Sequence, residues 1–386
     1  MIDFGFWNRE TSPSKIENPK SKIEMKLEHR IGQLLLIGIP GPQLDLMTRS
    51  MLQTIQPGGI LLNTHNIVDA QQVVELTSTI RSLIEVPPII AVDQEGGRVD
   101  RLKEIYSPMP SADLFRASGD AAVAAHMGEI AAEALRTLGF NVNFAPVLDI
   151  AHDDGANNGL KGRYLGSNLA EVVRLAGAYL EGLQHGGVVG VGKHFPGLGA
   201  ATIDSHSELP TIDRPRDEIV RQEIAPYTEL FSKINARLNA VIIAHAHYPA
   251  FDGPAPLPSS LSKNIITGLL REELGFKGLT ITDDLEMKAI TSTRDVSEAA
   301  VMAIEAGIDM VMIADSHSPG RASAAWEAMV NAANEGRITK VHIGRAFDHL
   351  ARIKSMLSPP QAFSEQAISR LRERIGELNL TLQHSK

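Results

Sequence analysis

Eight short apolar runs, each followed by a stretch of helical periodicity, constrain the fold of this chain more than any other feature. They are Leu34–Ile39, Gly59–Leu62, Ile89–Val92, Val142–Val147, Val188–Lys193, Ala240–Ala244, Leu279–Thr282 and Met310–Ile313. Most are β-branched or Leu-rich without polar alternation, as expected of strands buried on both faces of a parallel sheet. Between them, Leu169, Val172, Val173, Ala176, Leu180 and Leu183 fall on one helical face, and Asn168 with Glu171 forms a capping-box pattern in front of it. Strand–helix repetition of this kind over about 300 residues predicts an α/β fold, a closed (β/α)8 barrel of the TIM type. A doubly wound open sheet is the alternative, but no G-x-G-x-x-G follows the first run, which weakens a dinucleotide-binding reading.

The barrel is expected to span residues 26–335 as a single catalytic domain. Residues 1–25 read as a short polar N-terminal arm. Residues 336–386 read as one or two C-terminal helices that close the barrel bottom or pack beside it. With 43% hydrophobic and 22% charged residues, the composition is that of an ordinary globular protein. A net charge of −9 argues against nucleic acid or an anionic membrane as partner. There are no cysteines, which excludes disulfides, thiolate metal sites and a Cys nucleophile. Met1–Glu24 has no apolar signal region, and no run approaches the ~18 apolar residues that span a bilayer. A monomer working in the cytoplasm is expected.

In such barrels the chemistry sits at the C-terminal ends of the strands. Here those ends are polar. Asp93, Glu95, Arg98 and Arg101 follow the third run, Asp149 the fourth, and Lys193 and His194 end the fifth. His245 and His247 end the sixth, Asp283 and Asp284 the seventh, and Asp315 follows the eighth. Isolated buried charges are costly, so a polar pocket explains this set better than scattered ion pairs. Lys193-His194 suits a substrate clamp, or else a salt-bridged strand end. Asp283 points a carboxylate at the barrel axis and is a candidate nucleophile toward an anomeric carbon; the plainer alternative is a helix cap, which Asp284 also suits.

After Lys193-His194-Phe195-Pro196-Gly197 comes Asp204-Ser205-His206. A carboxylate beside an imidazole can orient it for general acid–base work; an Asx-turn with a solvated histidine competes with that reading. Gly197–Ile203 is expected to be a mobile segment that keeps His206 far from Asp283 until sugar binds. Glu95 is an alternative acid, although Gly96 and Gly97 favour a tight turn there. His245-Ala246-His247 invites a metal reading, but without Cys or HExxH-type spacing a structural His245 is the expectation, with no metal.

Taken in order, Asp93-Gln94-Glu95-Gly96-Gly97-Arg98-Val99, Phe144-Ala145-Pro146-Val147-Leu148-Asp149, Gly162-Arg163, Lys193-His194-Phe195-Pro196-Gly197, Asp204-Ser205-His206 and Thr282-Asp283-Asp284-Leu285 form a specific set. The chain resembles glycoside hydrolase family 3 over about residues 26–335, in particular its single-barrel β-N-acetylhexosaminidases. The resemblance implies Asp283 as the nucleophile that forms a covalent glycosyl-enzyme, and Asp204 with His206 as the acid/base dyad of this subgroup. It implies Asp93, Arg101, Arg163, Lys193 and His194 as sugar-binding positions. Two departures stand out. Leu198 and Ala200 replace a His and an Asp common in the loop, and Tyr164-Leu165 replaces a common Ser-Phe, a change expected to alter the rim of the sugar pocket.

The resemblance further implies a retaining exo-β-N-acetylglucosaminidase with a carbohydrate substrate and no cofactor. The expected source is a muropeptide, N-acetylglucosamine linked to 1,6-anhydro-N-acetylmuramic acid, with chitin oligosaccharides competing. Three alternatives remain open at this point: a β-N-acetylglucosaminide phosphorylase, a metal-dependent amidohydrolase-type barrel using His245, His247 and an Asp, and a non-catalytic sugar-binding barrel.

Overall fold

The computed structural model describes residues 25–153, 155–314 and 319–384. The strands, in chain order, are β1 (Leu35–Gly38), β2 (Gly59–Leu61), β3 (Ile89–Val92), β4 (Gln94–Gly96), β5 (Val99–Asp100), β6 (Val142–Asn143), β7 (Val189–Gly190), β8 (Gly192–Phe195), β9 (Ala240–Ile243), β10 (Leu279–Asp284) and β11 (Met310–Ile313). Nine of them form one parallel sheet in the order β7-β6-β3-β2-β1-β11-β10-β9-β8. Because β7 and β8 are the two halves of one run, this sheet closes on itself into a nearly complete barrel. β7 pairs with β6 (Val142 opposite Val189), and β8 pairs with β9 (Gly192 opposite Val241). The first and last strands meet at Leu35 and Val311. The closed alternative is therefore the correct one, and the open sheet is not.

Both strand faces are apolar for a physical reason. Leu36, Ile89, Ala91, Val189, Ile242, Ile281 and Met310 fill the barrel interior. Their neighbours Leu35, Ile37, Ile90, Val92, Val241, Ile243 and Val311 pack outward against the helices. Alternate residues thus face two different cores, and the polar alternation of a one-sided sheet disappears.

The helix Leu169–His185 forms where its periodicity places it, and its cap Asn168 accepts from the Glu171 N–H at 3.1 Å. Of the C-terminal helices, Lys340–Met356 sends Leu350 and Ile353 into the interior cluster and closes the barrel from below. The helix Glu365–His384 packs beside Ala121–Thr137. The arm falls almost wholly outside the described residues, as does Asp315. Among the described residues no helix is long and apolar enough to cross a membrane.

The fourth run is shorter than its composition suggests. Only Val142 and Asn143 pair as strand, because Pro146 has no N–H to donate; Val147 makes an isolated bridge to Lys193. The seventh run is longer, extending through Asp283 and Asp284. The Gly96-Gly97 turn, with φ of 91° and 58°, joins β4 to β5 in a small hairpin that the sequence pattern had shown only as a turn.

Candidate active site

The hairpin after β3 and the end of β8 together build a compact charge cluster. Lys193 leaves β8 with its ammonium 2.5 Å from Asp93 Oδ1 and 2.6 Å from Glu95 Oε1. Arg163 donates from Nε and Nη2 to the two Glu95 oxygens, each at 2.8 Å. Burial alone would push the Glu95 carboxyl up, but these two cations outweigh it and hold it far below the usual carboxylate range. An acid so firmly ionised cannot donate a proton near neutrality, so Glu95 is not the alternative acid the sequence allowed. It is the anchor of two cations, Arg163 and Lys193. Lys193 is raised in turn: burial lowers it, and Asp93 and Glu95 more than compensate.

His194 is fixed from behind. Its Nδ1–H donates to the fully buried Asp149 at 2.7 Å, which leaves Nε2 on the side of Arg163, 3.5 Å from Nη2. The other Asp149 oxygen accepts from Leu198 N at 2.6 Å. One carboxylate therefore sets both the imidazole tautomer and the root of the loop that follows.

That root is packed, which corrects the expected mobility of Gly197–Ile203. Leu198 and Ala201 are buried in the core, and Tyr248 donates its hydroxyl to Gly197 O at 2.6 Å. The apolar side chain at 198 belongs to the interior. Farther along, Ile203 bridges Asn157, and Ser205 O accepts from Ala289 N at 3.2 Å. Asp204 Oδ1 accepts from both the backbone N–H of His206 (2.9 Å) and its Nδ1 (2.8 Å). The solvated Asx-like turn and the dyad turn out to be one and the same geometry. The His206 side chain is 71% exposed.

Asp283, at the end of β10, lines the same cavity as His206, Asp93 and Arg101; its volume is about 470 Å³. The imidazole and the carboxylate thus line one cavity. Burial pushes the Asp283 carboxyl up, yet the His194, His245 and His206 imidazoles and the Asp284 N–H bring it below its usual range. That direction favours the anion. Its neighbour differs: burial pushes the Asp284 carboxyl up to about 7, against the N–H groups of Glu286 and Ala314. Arg101 contributes a buried Nε with no hydrogen-bond partner among the described residues.

Of the site residues expected from the sequence, Asp93, Arg101, His206 and Asp283 line this cavity, Asp204 and Lys193 are bonded to residues that line it, and Arg163 and His194 stand one contact further back, bonded to Glu95 and to Asp149. His245 sits behind the cavity wall: its ring nitrogens go to Ser260 Oγ (2.8 Å) and to the backbone oxygen of the lining residue Asp284 (2.9 Å), and His247 Nδ1 accepts from Leu257 N. His245 thus has both ring nitrogens engaged, whereas His247 Nε2 is buried without a hydrogen-bond partner among the described residues. Tyr164 and Leu165 are buried, Tyr164 bonded to Asn158, and Leu165 lines a small apolar cavity behind Arg163. Asn63 and His65, which the sequence did not single out, also line the main cavity; their signal was only their position after a strand.

Residues 26–353 match the model of the glycosyl hydrolase family 3 N-terminal domain. A relative named Beta-hexosaminidase from Idiomarina loihiensis is 32% identical over 288 residues, 74% of this chain and 84% of the relative. Another of that name, from Alkalilimnicola ehrlichii, is 35% identical over 285 residues, 72% of this chain and 80% of the relative. Among solved structures, a glycoside hydrolase family 3 β-N-acetylglucosaminidase from Paenibacillus sp. superposes with a TM-score of 0.83 at 35% identity, covering 92% of this chain and 69% of that one. A family 3 member from Mycobacterium smegmatis gives 0.77 at 28% identity, covering 88% and 99%.

Proposed function

The chain belongs to glycosyl hydrolase family 3 and is a glycosidase of the β-hexosaminidase group, and from that premise we propose that it is a retaining exo-β-N-acetylglucosaminidase. The observation that carries the proposal is the pairing across one cavity of an ionised strand-end carboxylate, Asp283, with an imidazole, His206, oriented through Nδ1 by Asp204. Asp283 attacks the anomeric carbon while the glycosidic C–O bond breaks. His206 Nε2–H gives its proton to the departing oxygen. In the second half, His206 takes a proton from water, the water oxygen attacks the anomeric carbon, and the bond to Asp283 breaks. The general scheme uses two carboxylates; an imidazole here takes the place of one of them.

Arg163, Lys193 and His194 bind the sugar hydroxyls and the acetamido group, together with Arg101 and with Asp93, which is paired with Lys193. The natural substrate we infer is a muropeptide fragment with terminal N-acetylglucosamine, hydrolysed in the cytoplasm. This finer reading rests on the family resemblance, and cleavage of muropeptides against chitin oligosaccharides tests it.

The decisive experiment incubates the protein with 4-nitrophenyl N-acetyl-β-glucosaminide, with and without phosphate and a chelator, and follows the first sugar formed by NMR. The expected result is β-N-acetylglucosamine at the same rate under all conditions. Sugar 1-phosphate made only with phosphate would identify a phosphorylase. Loss on chelation would point to a metal enzyme, an α-anomer formed first to inversion, and binding without turnover to a sugar-binding barrel.

A further inference from the structure

One ionisable pair outside the sugar pocket, a buried Glu223 and a partly exposed His152, has no part in the chemistry above. Glu223 lies in a single π-helical turn, Val220–Ile224, between the helical segments Arg216–Ile219 and Ala225–Phe231. Such turns are rare and collect at functional sites. The Glu223 side chain is completely buried, with Oε1 2.5 Å from His152 Nε2. Its Oε2 is buried too and has no hydrogen-bond partner among the described residues. A carboxylate oxygen buried without a partner costs free energy, so its retention calls for a reason.

Its neighbours supply one. A Cβ at Gly197, whose φ is +137°, would stand 2.8 Å from Glu223 Oε2, so the root of the acid–base loop lies directly on this carboxylate. A Cβ at Gly199 would stand 2.1 Å from Ile150 O and 3.2 Å from His152 Cδ2. The root is gripped between the two partners. His152 also opens the segment that carries Asn157, which bridges Ile203, and Gly159, where a Cβ would stand 2.6 Å from Asp204 Oδ2. Both stretches of chain that hold Asp204 therefore start at the Glu223–His152 contact. Neither residue lines the cavity itself.

We propose that Glu223 and His152 are a positioning pair for the proton donor, holding the Gly197–Gly199 root and the Asn157–Gly159 segment so that His206 faces Asp283. The proposal rests on the reading of His206 as the acid. Its test compares wild type, Glu223→Ala, Glu223→Gln, His152→Ala and His206→Ala on two N-acetyl-β-glucosaminides, one with a dinitrophenolate leaving group and one with an alkoxide. Only the alkoxide needs a proton. General acids contribute ~10²–10⁴-fold, so a misplaced one should cost the alkyl glycoside at least about ten-fold more kcat than the dinitrophenyl glycoside. Inhibition by free N-acetylglucosamine should be unchanged in Glu223→Ala, and Glu223→Gln, which keeps an oxygen for His152, should recover most of the loss. Equal losses on both substrates would mean that the pair only stabilises the fold.

Hydrogen–deuterium exchange over residues 197–208 is measured on the same proteins. It should quicken in Glu223→Ala and His152→Ala while β10 stays protected. Unchanged exchange overturns the proposal whether or not the protein turns over either glycoside. Failure of wild type on both glycosides sinks the functional reading alone. A leaving-group signature in His206→Ala, with none in the Glu223 variants, sinks the positioning pair alone.

Discussion

Glu95 holds Arg163 with both carboxylate oxygens at 2.8 Å, and one of those oxygens is also 2.6 Å from Lys193. Two long cationic side chains are thereby ordered before any sugar arrives, and binding does not have to freeze them. Glu95→Gln keeps the shape and removes the charge. Removing one partner of a buried ion pair costs up to about 3–5 kcal/mol, so the urea midpoint should drop, and KM should rise as the cations lose their fixed places. The wild-type Glu95 contribution is present above the ordinary carboxylate range and is lost only as pH falls through its much lower folded value. Unchanged KM and unchanged urea midpoint in Glu95→Gln would overturn this role.

Asp283 is the group whose loss should be most severe for chemistry and least severe for binding. Asp283→Ala should abolish most turnover while N-acetylglucosamine still binds, since Glu95, Arg163 and Lys193 keep their mutual contacts. A 5-fluoro N-acetylglucosaminyl donor should label wild type on the peptide containing Asp283. Mass spectrometry that finds the label elsewhere would falsify the assignment.

Asp284 should mark a pH dependence of stability. Its carboxyl is raised to about 7 in the folded chain from an ordinary value near 3.8, chiefly by burial. A raised group stabilises the fold fully below the unfolded value, and that contribution is lost as pH rises through the folded one. Between about pH 4 and 7 the wild-type melting temperature should therefore decline relative to that of Asp284→Asn. The amide retains an oxygen for the Glu286 and Ala314 N–H groups that Asp284 Oδ1 now serves. Parallel curves for the two proteins would rule the effect out.

The recognition of the acetamido group makes a separate expectation. Arg163, Lys193 and His194 are almost wholly buried, so a substrate that cannot engage them leaves donors unpaired in a desolvated pocket. A site built to hydrogen-bond a polar group rejects the analogue lacking it by ~10⁴–10⁵-fold at best. The β-glucoside should be far poorer than the N-acetyl-β-glucosaminide in kcat/KM. Comparable values for the two would exclude the acetamido contact.

The barrel was legible because its signal is repeated: each apolar run reports the same two-sided burial, and errors at single ends, such as Val147 or Asp283, do not alter the count of strands. The polar strand ends were legible for the related reason that an apolar strand rarely ends in charge without purpose. The partnerships were not. Nothing in the order of residues says that Glu95 serves Arg163, 68 positions away, or that Asp149 serves His194, 45 positions away. Glu223 left no trace at all, because a glutamate within a helical pattern reads as a solvated face until a π-turn points it inward. The loop was misjudged from its glycines. Gly197 and Gly199 are there for close backbone approach to Glu223 and Ile150, and small residues chosen for tight packing look the same in sequence as those chosen for freedom.

The dyad offers the sharpest separation of roles. Asp204 accepts from His206 Nδ1 at 2.8 Å, and although burial pushes the Asp204 carboxyl up, the His206 backbone N–H and imidazole bring it below its usual range. The Asp204 anion thus lies beside the ring at neutral pH. In Asp204→Asn the imidazolium loses that neighbour, so the basic limb of the pH profile for kcat/KM should move to lower pH, while the acidic limb, set by Asp283, stays in place. His206→Ala should flatten the basic limb altogether and should spare dinitrophenyl substrates. The order of damage on an alkyl glycoside should be His206→Ala first and Asp204→Asn second, because the carboxylate acts only through the ring. An Asp204→Asn profile identical to wild type on the basic side would show that Asp204 shapes the loop and does not tune the proton donor.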